Sequence, residues 1–171
     1  MAPPPSTTTI PPIVMLIVRV LTFISLIVSV IIIVTNTATS TVDTSFGTIN
    51  VKIKFNAFYA YRYMLATGVI GMAYTLLQTA FTIFYVTTGN RFGGDGLAFF
   101  EFYGDMVFSH MLATGAGAGF GLTVDLNRTS DSETNSFLNK ANAAASLLLI
   151  GFIFSAISSV FSSLSLRKKA V

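Results

Sequence analysis

Apolar residues along this chain gather into four long blocks divided by polar segments, instead of the single-face stripes of a soluble domain. IVMLIVRVLTFISLIVSVIIIV, residues 13 to 34, carries one charge, Arg19. YMLATGVIGMAYTLLQTAFTIFYVTT, residues 63 to 88, and NAAASLLLIGFIFSAISSVFSSLSL, residues 142 to 166, carry none. LAFFEFYGDMVFSHMLATGAGAGFGLTV, residues 97 to 124, is equally long but includes Glu101, Asp105 and His110. A helix needs about 20 apolar residues to cross roughly 30 Å of hydrocarbon. Each block meets that length, which predicts an all-α integral membrane protein, a four-helix transmembrane bundle with little chain outside the bilayer.

Between the blocks the pattern changes period. PPPSTTTIPP predicts a disordered tail over residues 1 to 12, and with no Lys or Arg before the first block, that block is expected to be a retained span and not a cleaved signal. In the loop after it, TINVKIKF alternates Ile49, Val51, Ile53 and Phe55 with polar neighbours, the period of a half-buried strand, so a short β element is expected there. GNRFGGDG, residues 89 to 96, reads as a tight turn, and DLNRTSDSETNSFLNK as a polar connection. Residues 167 to 171 form a basic tail.

Composition removes several function classes. The chain is 53% hydrophobic and 10% charged, with a mean hydropathy of +0.73, values far outside the range of soluble domains. Absence of cysteine excludes disulfides, thiolate metal sites and S-palmitoylation, and a single histidine cannot build a histidine cluster. GAGAGFG, residues 115 to 121, lacks the ending of a phosphate loop and the spacing of a dinucleotide turn. No cofactor, metal, catalytic set or nucleic-acid partner is therefore expected. Ala113, Gly117 and Gly121 recur every four residues, as do Gly115 and Gly119, so the third helix is expected to approach neighbours closely on more than one face. MLATG occurs at Met64 to Gly68 and again at Met111 to Gly115, where small residues serve packing at similar depth.

The charges inside the spans ask for partners. Arg19 lies roughly 9 Å along the first helix and Asp105 roughly 12 Å along the third, and these two helices run in the same direction. Matched depth predicts an intramembrane pair, since each charge alone costs about 2.5 to 3.5 kcal/mol at a helix centre on insertion scales. Glu101, one turn from Asp105 on the same face, is a second acceptor. Thr22, Ser25 and Ser29 form a polar stripe beside Arg19 that turns it into the bundle. A competing reading makes Glu101, Asp105 and His110 a polar path in a channel or proton-coupled transporter. His110, however, lies about 140° round the helix from Asp105.

Orientation rests on weaker signals. Arg91, Arg167, Lys168 and Lys169 fall on one side and Lys52, Lys54, Arg62, Arg128 and Lys140 on the other, four against five. That difference is too small to set topology. The RKK run after the last helix suits a cytosolic face, and the sequon Asn127-Arg128-Thr129 would then be extracytoplasmic, with Asn127 a glycosylation candidate. Both termini are expected in the cytosol.

Several stretches together resemble the plant CASP-like (Casparian strip membrane protein-like) family, four-span proteins related to the MARVEL domain group. They are Arg19 in the first helix, FNAFYAYRYMLATGVIGMAY with Arg62, FEFYGDMVFSHMLATGAGAGFGLTVDL with Asp105, and NKANAAASLLL, and the similarity runs over most of residues 13 to 166. The resemblance implies that Arg19 and Asp105 are the characteristic charged positions. It also implies a plasma-membrane scaffold that self-associates or joins relatives in homo- and hetero-oligomers, with cell-wall enzymes as partners of the domains it organises. TNTATSTVDTSFGTINVKIKF departs from the Casparian-strip-forming members in having no cysteine and lacking their signature stretch, so what carries over is the general scaffold role.

Overall fold

The computed structural model of the protein describes residues 12–44, 47–88, 94–129 and 134–167. Residues 1–11 and 168–171 of the expected tails, and residues 89–93 and 130–133 of the expected turn and loop, lie outside them, whereas Pro12, Arg167 and the end of the expected turn from Gly94 to Gly96 are helical. Four helices dominate: α1 (Pro12–Thr35), α2 (Tyr59–Thr88), α3 (Gly94–Thr129) and α4 (Asn135–Arg167). Each is long and apolar enough to cross a membrane. Pro12 opens α1, where a missing N–H costs nothing and a fixed φ suits the first turn.

α1 packs on α2, α2 on α3, α3 on α4, and α4 closes the ring against α1. α2 runs antiparallel to α1, since Arg19 early in α1 meets Thr82 late in α2 while Val30 late in α1 lies against Gly68 early in α2. The short connections after α2 and α3 reverse the chain twice more, which leaves α1 and α3 as the parallel pair on one diagonal. Leu26 of α1 is fully buried, in contact distance of the positions where Cβ atoms on Gly71 of α2 and Gly151 of α4 would stand, at 3.4 and 2.9 Å. Glycine on both neighbours thus makes the room for this one large side chain.

α4 begins at Asn135, seven residues before the apolar block at 142, and α2 at Tyr59, four before 63. Both early turns are amphipathic and so fall below a hydropathy threshold. Phe137, Leu138 and Tyr61 are buried in them, while Asn135, Ser136, Asn139, Lys140 and Arg62 stay exposed. The ring of Tyr61 meets Phe58 edge-on at 5.7 Å and Phe137 at 5.8 Å. Its hydroxyl shares a hydrogen bond with Thr123 of α3 at 3.0 Å. Asn36, just past α1, donates from Nδ2 to the Phe137 carbonyl at 2.9 Å. One end of the bundle is thereby tied across all four helices.

The expected strand is half of a hairpin. β1 (Thr37–Thr44) pairs antiparallel with β2 (Gly47–Lys54), with Thr37 opposite Lys54 and Thr39 opposite Lys52. Ala38, Ile53 and Phe55 pack against the core while Lys52 and Lys54 face out, as period-two alternation requires. β1 escaped the sequence reading because TATSTVDT shows little apolar alternation; its pairing is set by β2.

The glycines of α3 divide between two faces. A Cβ on Gly115 would collide with Thr67 of α2, and one on Gly119 would collide with Met64 of α2 and stand 3.2 Å from the Ala145 methyl of α4. The two MLATG segments therefore pack on one another, Thr67 of the first lying against Gly115 of the second. Gly117 and Gly121 are exposed, with open space where a Cβ would stand. Gly119→Leu is expected to overpack the bundle and lower the total yield of folded protein, whereas Gly117→Leu should leave that yield near wild type. Fluorescence-detected size exclusion in mild detergent measures both.

Candidate functional site

Arg19 and Asp105 come together across the α1–α3 diagonal. Arg19 Nη2 stands 3.7 Å from Asp105 Oδ2, and the residues are 2% and 3% exposed. This is an ion pair without a direct hydrogen bond, because the separation exceeds hydrogen-bond length.

The short contacts run instead to α2 and α4. Arg19 Nη1 donates to the Gln78 carbonyl at 2.6 Å, to Gln78 Oε1 at 3.0 Å and to Thr82 Oγ1 at 2.6 Å. Asp105 Oδ1 accepts from the Tyr74 hydroxyl at 2.8 Å and Oδ2 from Ser158 Oγ at 2.9 Å. Gln78 Nε2 donates to the Tyr74 oxygen at 2.7 Å, which links the two halves. Every helix contributes to this cluster. The charges are held by oriented dipoles in a place that water-exposed groups cannot screen.

Tyr74 depends on α3 for its position. Its ring stacks on Phe108 with centroids 3.9 Å apart, and Gly104 lies where any Cβ would strike the hydroxyl. Glycine one residue before Asp105 therefore lets the phenol reach the carboxylate. Glu101 is buried one turn away, and its backbone carbonyl lies 3.3 Å from the same hydroxyl. The Tyr74 proton goes to the nearer, charged acceptor.

The polar stripe of α1 turns inward as expected and addresses the α4 backbone. Ser25 Oγ donates to the Leu147 carbonyl at 2.6 Å and Ser29 Oγ to the Ala144 carbonyl at 2.7 Å. Thr22 bonds back to the Val18 carbonyl at 2.9 Å and lies beside the charged pair. A cavity of about 10 Å³ lies between Arg19, Asp105, Thr22 and Ser155.

The remaining candidates lie elsewhere. His110 is exposed on the outer side of α3, with Nδ1 2.7 Å from the Met106 carbonyl, and does not join Glu101 and Asp105. Ala113 is half-buried; Gly115 and Gly119 face inward and Gly117 and Gly121 outward. Asn127 is exposed in the last turn of α3. Among the described residues no three of His, Asp and Glu gather as a metal site. Sequence reasoning missed Tyr74, Gln78, Thr82 and Ser158. The signal was present: Tyr74, Gln78 and Thr82 recur every four residues in an uncharged span, and Ser155, Ser158 and Ser162 repeat at similar spacing on α4.

The fold and this buried cluster define a four-span integral membrane protein built round an intramembrane Arg–Asp pair. The Casparian strip membrane protein domain matches residues 10–154, and the chain belongs to that family. It is 54% identical over 157 residues to CASP-like protein 4D1 of Ricinus communis, covering 90% of this chain and 91% of the relative. Identity is 50% over 166 residues to CASP-like protein 4D1 of Glycine max, covering 96% and 94%. To CASP-like protein 4D2 of Arabidopsis thaliana it is 40% over 178 residues, covering 98% of each. No solved structure matches the chain.

Removing one charge strands the other, a loss of about 3 to 5 kcal/mol for a broken buried pair. Arg19→Leu and Asp105→Leu are each expected to reduce surface-delivered protein and lower the detergent melting temperature. The double substitution should lose less than the sum of the singles. Additive losses would show that the two residues act separately.

Proposed function

We propose that this protein is a non-enzymatic scaffold of the plasma membrane, with both termini in the cytosol, that organises a membrane domain by joining copies of itself and of related proteins along the outer face of α3. The observation that carries the reading is what the helices present to lipid. α1 shows Ile17, Ile24 and Ile31 outward, and α4 shows Ile150, Ile153, Ile157 and Val160. On α3, between Val107 and Val124, the exposed positions are His110, Thr114, Gly117 and Gly121.

These residues follow the alternating three-and-four spacing of a helix–helix seam. Lipid chains solvate an imidazole and a flat glycine strip poorly, whereas another helix gains close packing and hydrogen bonds there. His110 Nδ1 is directed at its own helix, so Nε2 is the nitrogen available to a partner. Thr114 Oγ1 is already shared with Tyr63 of α2 at 2.9 Å, which ties the face to the bundle behind it.

Transport through one protomer draws no support from this geometry. The two carboxylates of the postulated path turn inward and His110 outward, and the space beside Asp105 is about 10 Å³. Such a volume is on the scale of a single water molecule.

The cysteine-free sequence allows a clean test. Single Gly117→Cys and Gly121→Cys variants are expected to form disulfide-linked dimers on mild oxidation in native membranes, with Ile24→Cys and Ile153→Cys remaining monomeric. Monomer at every position, or equal cross-linking at all four, would overturn the α3 interface. For topology, tags at Met1 and Val171 should resist protease added to intact cells, and an epitope near Ser132 should be accessible from outside; the reverse pattern would invert the orientation.

A further inference from the structure

We propose that the cavity beside the Arg19–Asp105 pair is a binding site for one water molecule. This water accepts from the Nε and Nη2 edge of the guanidinium and donates to the Asp105 carboxylate and the Ser155 hydroxyl. Three observations converge on it. Nη1 spends its donors on Gln78 and Thr82, while Nε and Nη2 meet no acceptor in hydrogen-bond geometry among the described residues. Arg19 is 2% exposed, so these donors cannot turn to bulk solvent. Buried donors are satisfied in the great majority of proteins, because an unsatisfied one forfeits its hydration without compensation.

The gap between the charges is of the right kind. Nη2 and Oδ2 are 3.7 Å apart, too far for a direct bond, and a polar contact of that length is commonly bridged. The adjoining cavity of about 10 Å³ accommodates one water molecule. Every residue that lines it carries a polar group, Arg19, Asp105, Thr22 and Ser155 among them. Dry cavities are apolar.

Charge and size exclude the other small ligands. A metal cation attracted to Asp105 would lie against the Arg19 guanidinium, and an anion attracted to Arg19 would lie against the carboxylate. The pair is already neutral in sum, and at such separations like charges in a weakly screened interior repel strongly. A hydrated ion is also too large. Water is neutral, donates and accepts, and answers both charges at once.

Filling and retaining variants give opposite signs for a wet and a dry cavity. Ser155→Val places methyl groups in the space and displaces the water, so its melting temperature should fall a few degrees below that of Ser155→Ala, which retains the water. A dry void predicts the reverse, since Val would fill it. Val melting at or above Ala would overturn the proposal. Should Ser155→Val fail to fold, the unsubstituted chain decides. A structure at a resolution that shows ordered waters should place a density peak within hydrogen-bond reach of Arg19 Nε or Nη2, and no peak there, with Nη2 bonded directly to Asp105, would also overturn the proposal. Melting in sodium chloride and in choline chloride at equal ionic strength should agree; stabilisation by sodium would point to a cation and against water.

Discussion

A guanidinium in hydrocarbon needs acceptors wherever it points, and this need organises the bundle. Arg19 cannot reach aqueous solvent from where it stands, so α2 supplies a backbone carbonyl, an amide oxygen and a hydroxyl, and α3 supplies the counter-charge. Asp105 then requires its own donors, which come from Tyr74 of α2 and Ser158 of α4. Together the two requirements engage all four helices. In a bilayer, burial of apolar surface gives helices little reason to prefer one neighbour over another. A cluster that is satisfied only when four particular faces converge supplies that preference, which is a larger role than its net contribution to stability would suggest.

The same helix that delivers Asp105 carries two kinds of small-residue surface. Gly104, Gly115 and Gly119 admit Tyr74, Thr67 and Met64 toward the α3 backbone, so they belong to the fold of one protomer. Gly117 and Gly121, a half-turn away, face outward with nothing against them. Packing inside the protomer and availability outside it are separated by helical phase alone. From Ile13 to Val34 of α1 and from Leu149 to Val160 of α4 the outward positions are branched aliphatics that lipid accommodates well. Family membership, shown by the domain match and by relatives covered almost end to end, agrees with a bundle whose chemistry lies within the membrane plane.

Much of this was legible in the chain because hydrocarbon imposes simple length and charge rules. Four spans follow from length and hydropathy, and the meeting of Arg19 with Asp105 follows from depth and helix direction. What stayed hidden has physical causes. The first turns of α2 and α4 mix buried aromatics with exposed polar groups, so they look like loop on a hydropathy scale yet carry Tyr61 and Phe137 into the core. β1 has no period of its own and is organised by its partner strand. Gln78 and Thr82 were overlooked because neutral polar residues in a span cost little and raise no alarm, although together they take the donors of Arg19 Nη1. Which face each glycine occupied required the helix phase, and a stripe visible in sequence does not reveal which side is inside.

The contacts of Ser25 and Ser29 bear on how such a chain can change over evolutionary time. Both hydroxyls bind carbonyls of α4, at Leu147 and Ala144, and make no demand on the side chains at those positions. Any residue that keeps the helix intact offers the same carbonyl. These two hydrogen bonds are therefore indifferent to side-chain identity at their acceptors but intolerant of a shift in register, since inserting or deleting one residue ahead of Ala144 would rotate both acceptors about 100° away from α1. Point changes can accumulate on the outward face of this helix while changes in length are driven out to the connections between spans.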